Sequence, residues 1–170
     1  FADRGYESTT VDDICTAAGI SRSSFFRYFP TKEQALLSRV IGFGEQMRDA
    51  LEKRPDDETP WTALRRSLDP LLAIYSTDPE RAMRVAQLLT GTQALAVHHT
   101  TKAASWRDML GPEVSRRLGT SSDDPRDPRP GALIAATFGY LDAAIAAWTQ
   151  GDGNQPLASV LDCAMAVIGS

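Results

Sequence analysis

Between Ser21 and Lys32 the chain carries three cations, Arg22, Arg27 and Lys32, and no acidic residue. They alternate with the hydroxyls of Ser21, Ser23 and Ser24 and with the rings of Phe26 and Tyr28. These groups suit a duplex nucleic acid. A guanidinium binds guanine bidentately, a hydroxyl serves either bases or phosphates, and a lysine ammonium neutralises a phosphate without reading sequence. The rest of the chain offers little for catalysis: no Gly-x-Ser-x-Gly elbow, no phosphate-cradling glycine loop and no Cys-His pair in a recognisable setting. His98 and His99 are adjacent, so on a helix they project about 100° apart and cannot share one metal as an i, i+4 pair would. The expectation is a non-enzymatic binding protein without catalytic residues, metal or cofactor.

Three helix signals surround these residues. Thr9-Thr10 supplies an N-cap hydroxyl, and Asp12 and Asp13 fall in the first turn, where the helix dipole favours negative charge. Ile14, Cys15 and Ala18 share a face, and Gly19 follows as the natural left-handed stop, which predicts a helix of about eight residues. Ser21 then caps a second short helix that must end before Pro30. Thr31 to Gln34 reads as a capping box, and Ala35, Leu36, Val40, Phe43, Met47 and Leu51 continue at helical spacing, predicting a long third helix to about Lys53. Two short helices joined through one glycine, with Val11, Ile14, Ile20, Phe25 and Tyr28 available for an inner face, describe a helix-turn-helix. Cys15 is small, as a close crossing under Phe25 requires. The second helix then directs Arg22, Ser23, Ser24 and Arg27 outward, toward a groove in which base edges are distinguishable.

The segments Phe1-Ala2-Asp3-Arg4-Gly5-Tyr6, Thr9-Thr10-Val11, Asp13-Ile14, Ala18-Gly19-Ile20-Ser21-Arg22 and Phe25-Phe26-Arg27-Tyr28-Phe29-Pro30-Thr31-Lys32-Glu33 together resemble the DNA-binding domain of the tetracycline-repressor (TetR) family of bacterial regulators. The resemblance covers roughly residues 1–47. It implies an all-α homodimer, with an N-terminal three-helix helix-turn-helix domain on DNA and a C-terminal helical bundle, residues 48–170, for ligand binding and dimerisation. By position it implies that Thr10 touches a phosphate, that Arg22, Ser23 and Ser24 face the groove, and that Phe26, Tyr28 and Lys32 flank it; Ser21 and Arg27 complete the expected DNA-binding set. Phe26 departs from the family's usual tyrosine and so lacks a hydroxyl contact, and Ser23 stands where glycine or a basic residue is common. The family's first helix is represented only by its last residues, which implies chain upstream of Phe1.

From Arg54 the pattern loosens. A polar connector leads to Thr59-Pro60, a cap followed by proline at the first helical position. Pro70 should kink or restart the helix that begins there, and Asp78-Pro79-Glu80 opens another that runs to Gly91. A further helix from Thr92 passes Trp106, with Gly111-Pro112 near its end and a short continuation to Leu118; Gly119 to Pro130 reads as a disordered loop. The last two helices, about 131–150 and 155–168, are the most apolar. Ala132, Leu133, Ala135, Ala136, Gly139, Ala143, Ala144, Ala146 and Ala147 nearly encircle the first of them, which reads as a buried helix too rich in alanine to span a membrane. Paired across a two-fold axis, they would form the dimer's four-helix bundle, and a two-fold protein mirrors a palindromic operator with half-sites about 34–36 Å apart or a multiple of that.

Segments around Trp61, Leu88, Trp106, Arg116 and Leu141 also resemble the C-terminal domain of a TetR subgroup associated with acyl-CoA-like ligands. An apolar pocket there would draw its walls from Tyr75, Met83, His99, Trp106, Phe138 and Tyr140.

Composition agrees with one or two soluble domains: 170 residues, 42% hydrophobic and 24% charged. Cys15 and Cys163 are too far apart for a disulfide ladder or metal spacing, and no signal peptide is visible, so the expected location is the reducing cytoplasm of a bacterium. A net charge of −4 excludes a histone-like coat but leaves room for a local basic face. The expected function is therefore ligand-responsive, DNA-binding transcriptional regulation: a repressor released from a palindromic operator when a small apolar or acyl-type ligand binds the C-terminal domain, with no membrane partner.

Overall fold

A computed structural model describes residues 9–91, 93–121, 124 and 126–167, with side chains over the same residues except 33–34, 36–42 and 88–103. The Phe1–Tyr6 segment lies outside this range. Among the described residues the chain is helical, in the order α1 (Val11–Ala18), α2 (Arg22–Tyr28), α3 (Lys32–Glu52), α4 (Pro60–Ser67), α5 (Asp69–Thr77), α6 (Pro79–Gly91), α7 (Gln93–Arg117), α8 (Arg129–Gln150) and α9 (Leu157–Met165). Two compact units divide between Gly42 and Phe43, inside α3.

In the first unit α1 and α2 pack around Phe25 and Cys15, 1% and 6% exposed. In the second, α7 and α9 lie against α8, and Leu64, Leu68, Leu110, Val114, Ile134 and Leu161 fill the core. Met47 and Leu51, from the end of α3, are fully buried in this unit. Pro70 acts as expected: having no N–H, it restarts the chain as α5 after the single residue Leu68. Pro112, by contrast, is carried inside α7, which runs unbroken to Arg117.

Two sequence expectations change in the second unit. The Gly119–Pro130 segment is not featureless over its described residues, and α8 begins at Arg129 rather than Gly131. Asp124 and Asp127 each accept the backbone N–H two residues on, from Arg126 and Arg129, at 3.0 Å, and pair with the same arginines' side chains. Local Asp-x-Arg turns thus do the work of a cap where Pro128 has no hydroxyl to offer. The Arg129 guanidinium, aided by the Arg129 N–H, holds the Asp127 carboxyl down to about 2.

The other change concerns α8, which is buried on one side only. Ile134, Thr137, Phe138, Leu141, Ala144 and Trp148 face the core, whereas Ala132, Ala135, Gly139 and Ala143 are exposed. By length and a mean hydropathy of 1.4 it could cross a membrane, contrary to the estimate from its alanine content, but it packs on α4, α6, α7 and α9 as a core helix does.

Gly44 shows why α3 and α7 meet where they do. A Cβ there would lie 2.5 Å from Cδ1 of Trp106, which is itself buried, and 2.9 Å from Sδ of Met109. Gly44→Ala should therefore destabilise the protein by about 1–3 kcal/mol through overpacking, although alanine is the better helix former. An unchanged or raised urea midpoint would show that Trp106 yields freely.

Candidate nucleic-acid interface

The first unit builds its outward face from its caps. Thr10 opens α1: its oxygen accepts the Asp13 N–H at 3.1 Å, its hydroxyl donates to Asp13 Oδ2 at 2.6 Å, and its backbone N–H donates to the same oxygen at 2.8 Å. The cap thus engages the one hydroxyl proton that a phosphate contact at Thr10 would use. Gly19, at φ 66°, closes α1 in the left-handed region, and the N–H of Ile20 returns to Cys15 O at 3.0 Å. Ser21 starts α2 immediately, its oxygen accepting the Ser24 N–H at 3.1 Å. Phe29, extended ahead of Pro30, ends it.

That frame sorts the predicted residues. Phe25 points inward, its ring 5.4 Å from Phe26 and 5.6 Å from Phe29. Arg22, Ser23, Phe26 and Arg27 are exposed together, at the i, i+1, i+4, i+5 spacing of one helix face. Ser24 is half-buried, and the Ser21 hydroxyl lies 3.1 Å from that of Ser23 and 3.0 Å from that of Ser24. Tyr28 is 66% exposed, with the Arg27 guanidinium 5.0 Å above its ring. Lys32 is half-buried and donates to Thr9 O at 3.0 Å, tying the first residue of α3 to the segment that precedes α1.

Sequence reasoning missed Asp12 as a member of this face. Its Oδ2 accepts from Arg22 Nη1 at 3.1 Å, across the Gly19 turn. No local spacing announces a pair ten positions apart; it exists because two short helices cross.

In the second unit the five predicted pocket residues whose side chains are described fall into separate contacts. Trp106 and Phe138 are buried with ring centroids 5.3 Å apart. Tyr75 stands edge-on to Trp148 at 5.5 Å; burial and then the Asp142 charge push its hydroxyl up to about 12. Met83 reaches toward Gly153 beside the same Trp148, and Tyr140 meets Trp61 at 5.7 Å. The side chain of His99 lies outside the described residues. Two clefts of about 310 and 340 Å³ open elsewhere in this unit, one at Trp61, Arg66 and Met165 and one at Arg107, Ser115 and Asp127, and none of the other five lines either. Trp148 is the residue this region adds to the sequence reading, its indole N–H donating to Gln155 O at 2.9 Å.

Comparison with known proteins places both units. Residues 1–38 match the family described as bacterial regulatory proteins, tetR family, and residues 58–170 match the family described as MftR C-terminal domain. The HTH-type transcriptional regulator TcmR of Streptomyces glaucescens is 28% identical over 81% of this chain, which spans 62% of the relative's length. The Mycobacterium tuberculosis protein MftR, named for regulating transcription in mycofactocin biosynthesis, is 26% identical over the whole chain and 84% of its own length. The HTH-type transcriptional regulator EthR of Mycolicibacterium smegmatis is 33% identical over 53% of the chain and 40% of its own length.

Proposed function

We propose, because the chain belongs to the tetR family of bacterial regulatory proteins, that it is a cytoplasmic, homodimeric repressor whose α2 reads a palindromic operator and which a small apolar or acyl-type ligand releases. The observation that carries this reading is the single exposed face of Arg22, Ser23, Phe26 and Arg27 on a helix capped at both ends. Its N-terminal residues stand where an α-helix entering the major groove meets base edges. Arg22 is the base reader. Ser23 and Ser24 add permissive hydroxyls, Phe26 offers apolar contact to a thymine methyl, and Arg27, Tyr28 and Lys32 address the backbone. Ser21 and Thr10 act chiefly by holding the two helix starts.

The outward small residues of α8, Ala132, Ala135, Gly139 and Ala143, let a second copy's helix approach closely, with α9 beside them. A two-fold dimer built this way matches the symmetry of a palindrome. Release follows if the ligand binds the C-terminal unit more tightly in a state whose half-site spacing no longer fits the operator. The walls of its site are drawn from Tyr75, Met83, His99, Trp106, Phe138 and Tyr140, and the contacts of Tyr75, Trp106, Phe138 and Tyr140 with neighbouring rings must part to admit it.

Arg22→Ala provides the test. A duplex enriched from a random library by the full-length protein should bind the variant about 1–3 kcal/mol more weakly, with one base preference relaxed, while random DNA is little affected. Equal losses on both duplexes would remove Arg22 from base reading, and failure of the wild-type protein to enrich any palindrome would remove the operator itself.

A further inference from the structure

We propose that Asp12 is a specificity-determining residue of this reading head: it holds Arg22 in place for a base and sets a negative charge against indiscriminate phosphate contact. The inference rests on the reading of α2 given above. Asp12 and Asp13 are consecutive in the first turn of α1, yet they are used differently. Asp13 turns back to close the capping box on Thr10, whereas Asp12 reaches across to α2 and accepts from Nη1 of Arg22 at 3.1 Å. Both members of the pair are 64% exposed, so the contact lies at the surface, beside the residue assigned above to base reading, rather than beneath it.

An arginine has five N–H donors in a planar fork. One donor given to Asp12 limits the rotamers of Arg22 and leaves the rest of the fork for the two acceptors of a guanine edge. The cost of ordering the side chain is then met before DNA arrives. Random DNA offers Arg22 phosphates instead. Reaching one there requires Arg22 to leave Asp12, and it brings the carboxylate close to the backbone, where like charges repel. The same carboxylate therefore favours the base-reading pose and penalises the phosphate-bound one. This charge also corrects the simplest view of the Ser21–Lys32 segment: its excess of three cations is opposed at Arg22, the position that reads sequence.

The experiment measures affinity by fluorescence anisotropy for the full-length wild type, Asp12→Asn and Asp12→Glu. The probes are the duplex enriched from a random library by the wild type and a scrambled duplex of equal length, titrated between about 50 and 200 mM salt. The asparagine variant should bind the scrambled duplex several-fold more tightly, with a salt slope steeper by about 1 as Arg22 gains a phosphate. Its preference for the enriched duplex should fall about tenfold, within the range of one base contact. The glutamate variant, which keeps the charge, should restore the preference to near wild type. An unchanged preference and parallel salt slopes in the asparagine variant would overturn the role of Asp12 while leaving α2 as the reader. Equal weakening on both duplexes, not restored by glutamate, would also overturn it, since a merely structural carboxylate behaves so. A wild type that enriches no duplex would instead overturn the underlying reading.

Discussion

Replacing Arg117 with alanine is expected to lower folding stability by about 2–4 kcal/mol, because backbone carbonyls around a buried guanidinium lose their charged donor while Glu113 keeps its pair with Arg116. The Arg117 side chain is 2% exposed and its fork is occupied in three directions. Nε donates to Glu113 at 2.8 Å, Nη1 to Pro55 O at 2.8 Å, and Nη2 to Leu51 O at 3.1 Å and Arg54 O at 2.7 Å. These carbonyls lie at and just beyond the end of α3, which has no cation of its own in the last turn; Leu51 O also accepts the Arg54 N–H at 3.1 Å and Pro55 O the Glu58 N–H at 3.3 Å. Arg117, at the end of α7, supplies further donors and the positive charge. Lysine cannot span the three directions, so Arg117→Lys should recover only part of the loss.

Acid should erode the same junction. The Arg116 guanidinium, bonded to Glu113 at 2.7 Å, and Arg117 hold the Glu113 carboxyl below its ordinary value of 4.5 against the opposing effect of burial. Because the folded value is depressed, this stabilisation is complete above pH 4.5 and is lost as the pH falls through the folded value. Urea unfolding of wild type and Arg117→Ala at pH 7 and pH 4 checks both statements. A loss under about 1 kcal/mol at pH 7 would mean that water replaces the guanidinium without penalty.

Phe25→Ala is the second large effect. It should remove about 3–5 kcal/mol from the first unit, which is small enough for that loss to unfold it. Phe25 is 1% exposed and carries the contacts of α2 with Phe26, Phe29 and the α1 side of the core, where Cys15 is buried. The variant should lose hydrogen-exchange protection in α1 and α2 while α8 and α9 keep theirs, because the latter have a separate core around Ile134 and Leu161. Affinity for the enriched duplex should fall to the background of random DNA. Retained protection in α2 would show that Phe26 or Phe29 can replace the lost ring.

Much of the fold was legible in residue order. Thr10, Gly19, Ser21 and Pro30 each act within one turn of their own position, and the bounds of α1 and α2 follow from them. Pro70 likewise restarted the chain as expected, whereas α7 continues past Pro112 to Arg117, one residue short of the expected Leu118. The difference is that a proline inside a helix is tolerated when packing on both sides holds it: Leu110 and Val114 flank Pro112 in the core. Asp127 was hidden in a segment whose proline and aspartate content reads as loop, although it provides the capping interaction for α8.

The candidate interface divides in the same way. The face of Arg22, Ser23, Phe26 and Arg27 follows from helical period, because residues one turn apart share a side whatever lies beneath. Its partner Asp12, the Lys32 contact with Thr9 and the clash that keeps Gly44 a glycine depend on which helices cross and how closely. The six aromatic and thioether residues predicted to share a pocket had the right character for an interior, but period alone does not say which interior neighbour each meets. By itself, then, the sequence determined where the helices start and stop and which residues one helix can display, since caps, glycine and proline act over three or four residues of backbone. Only the tertiary structure decided the partners of Arg22, Arg117 and Trp148, because contacts between distant segments are set by the crossing of whole helices and leave no mark in local spacing.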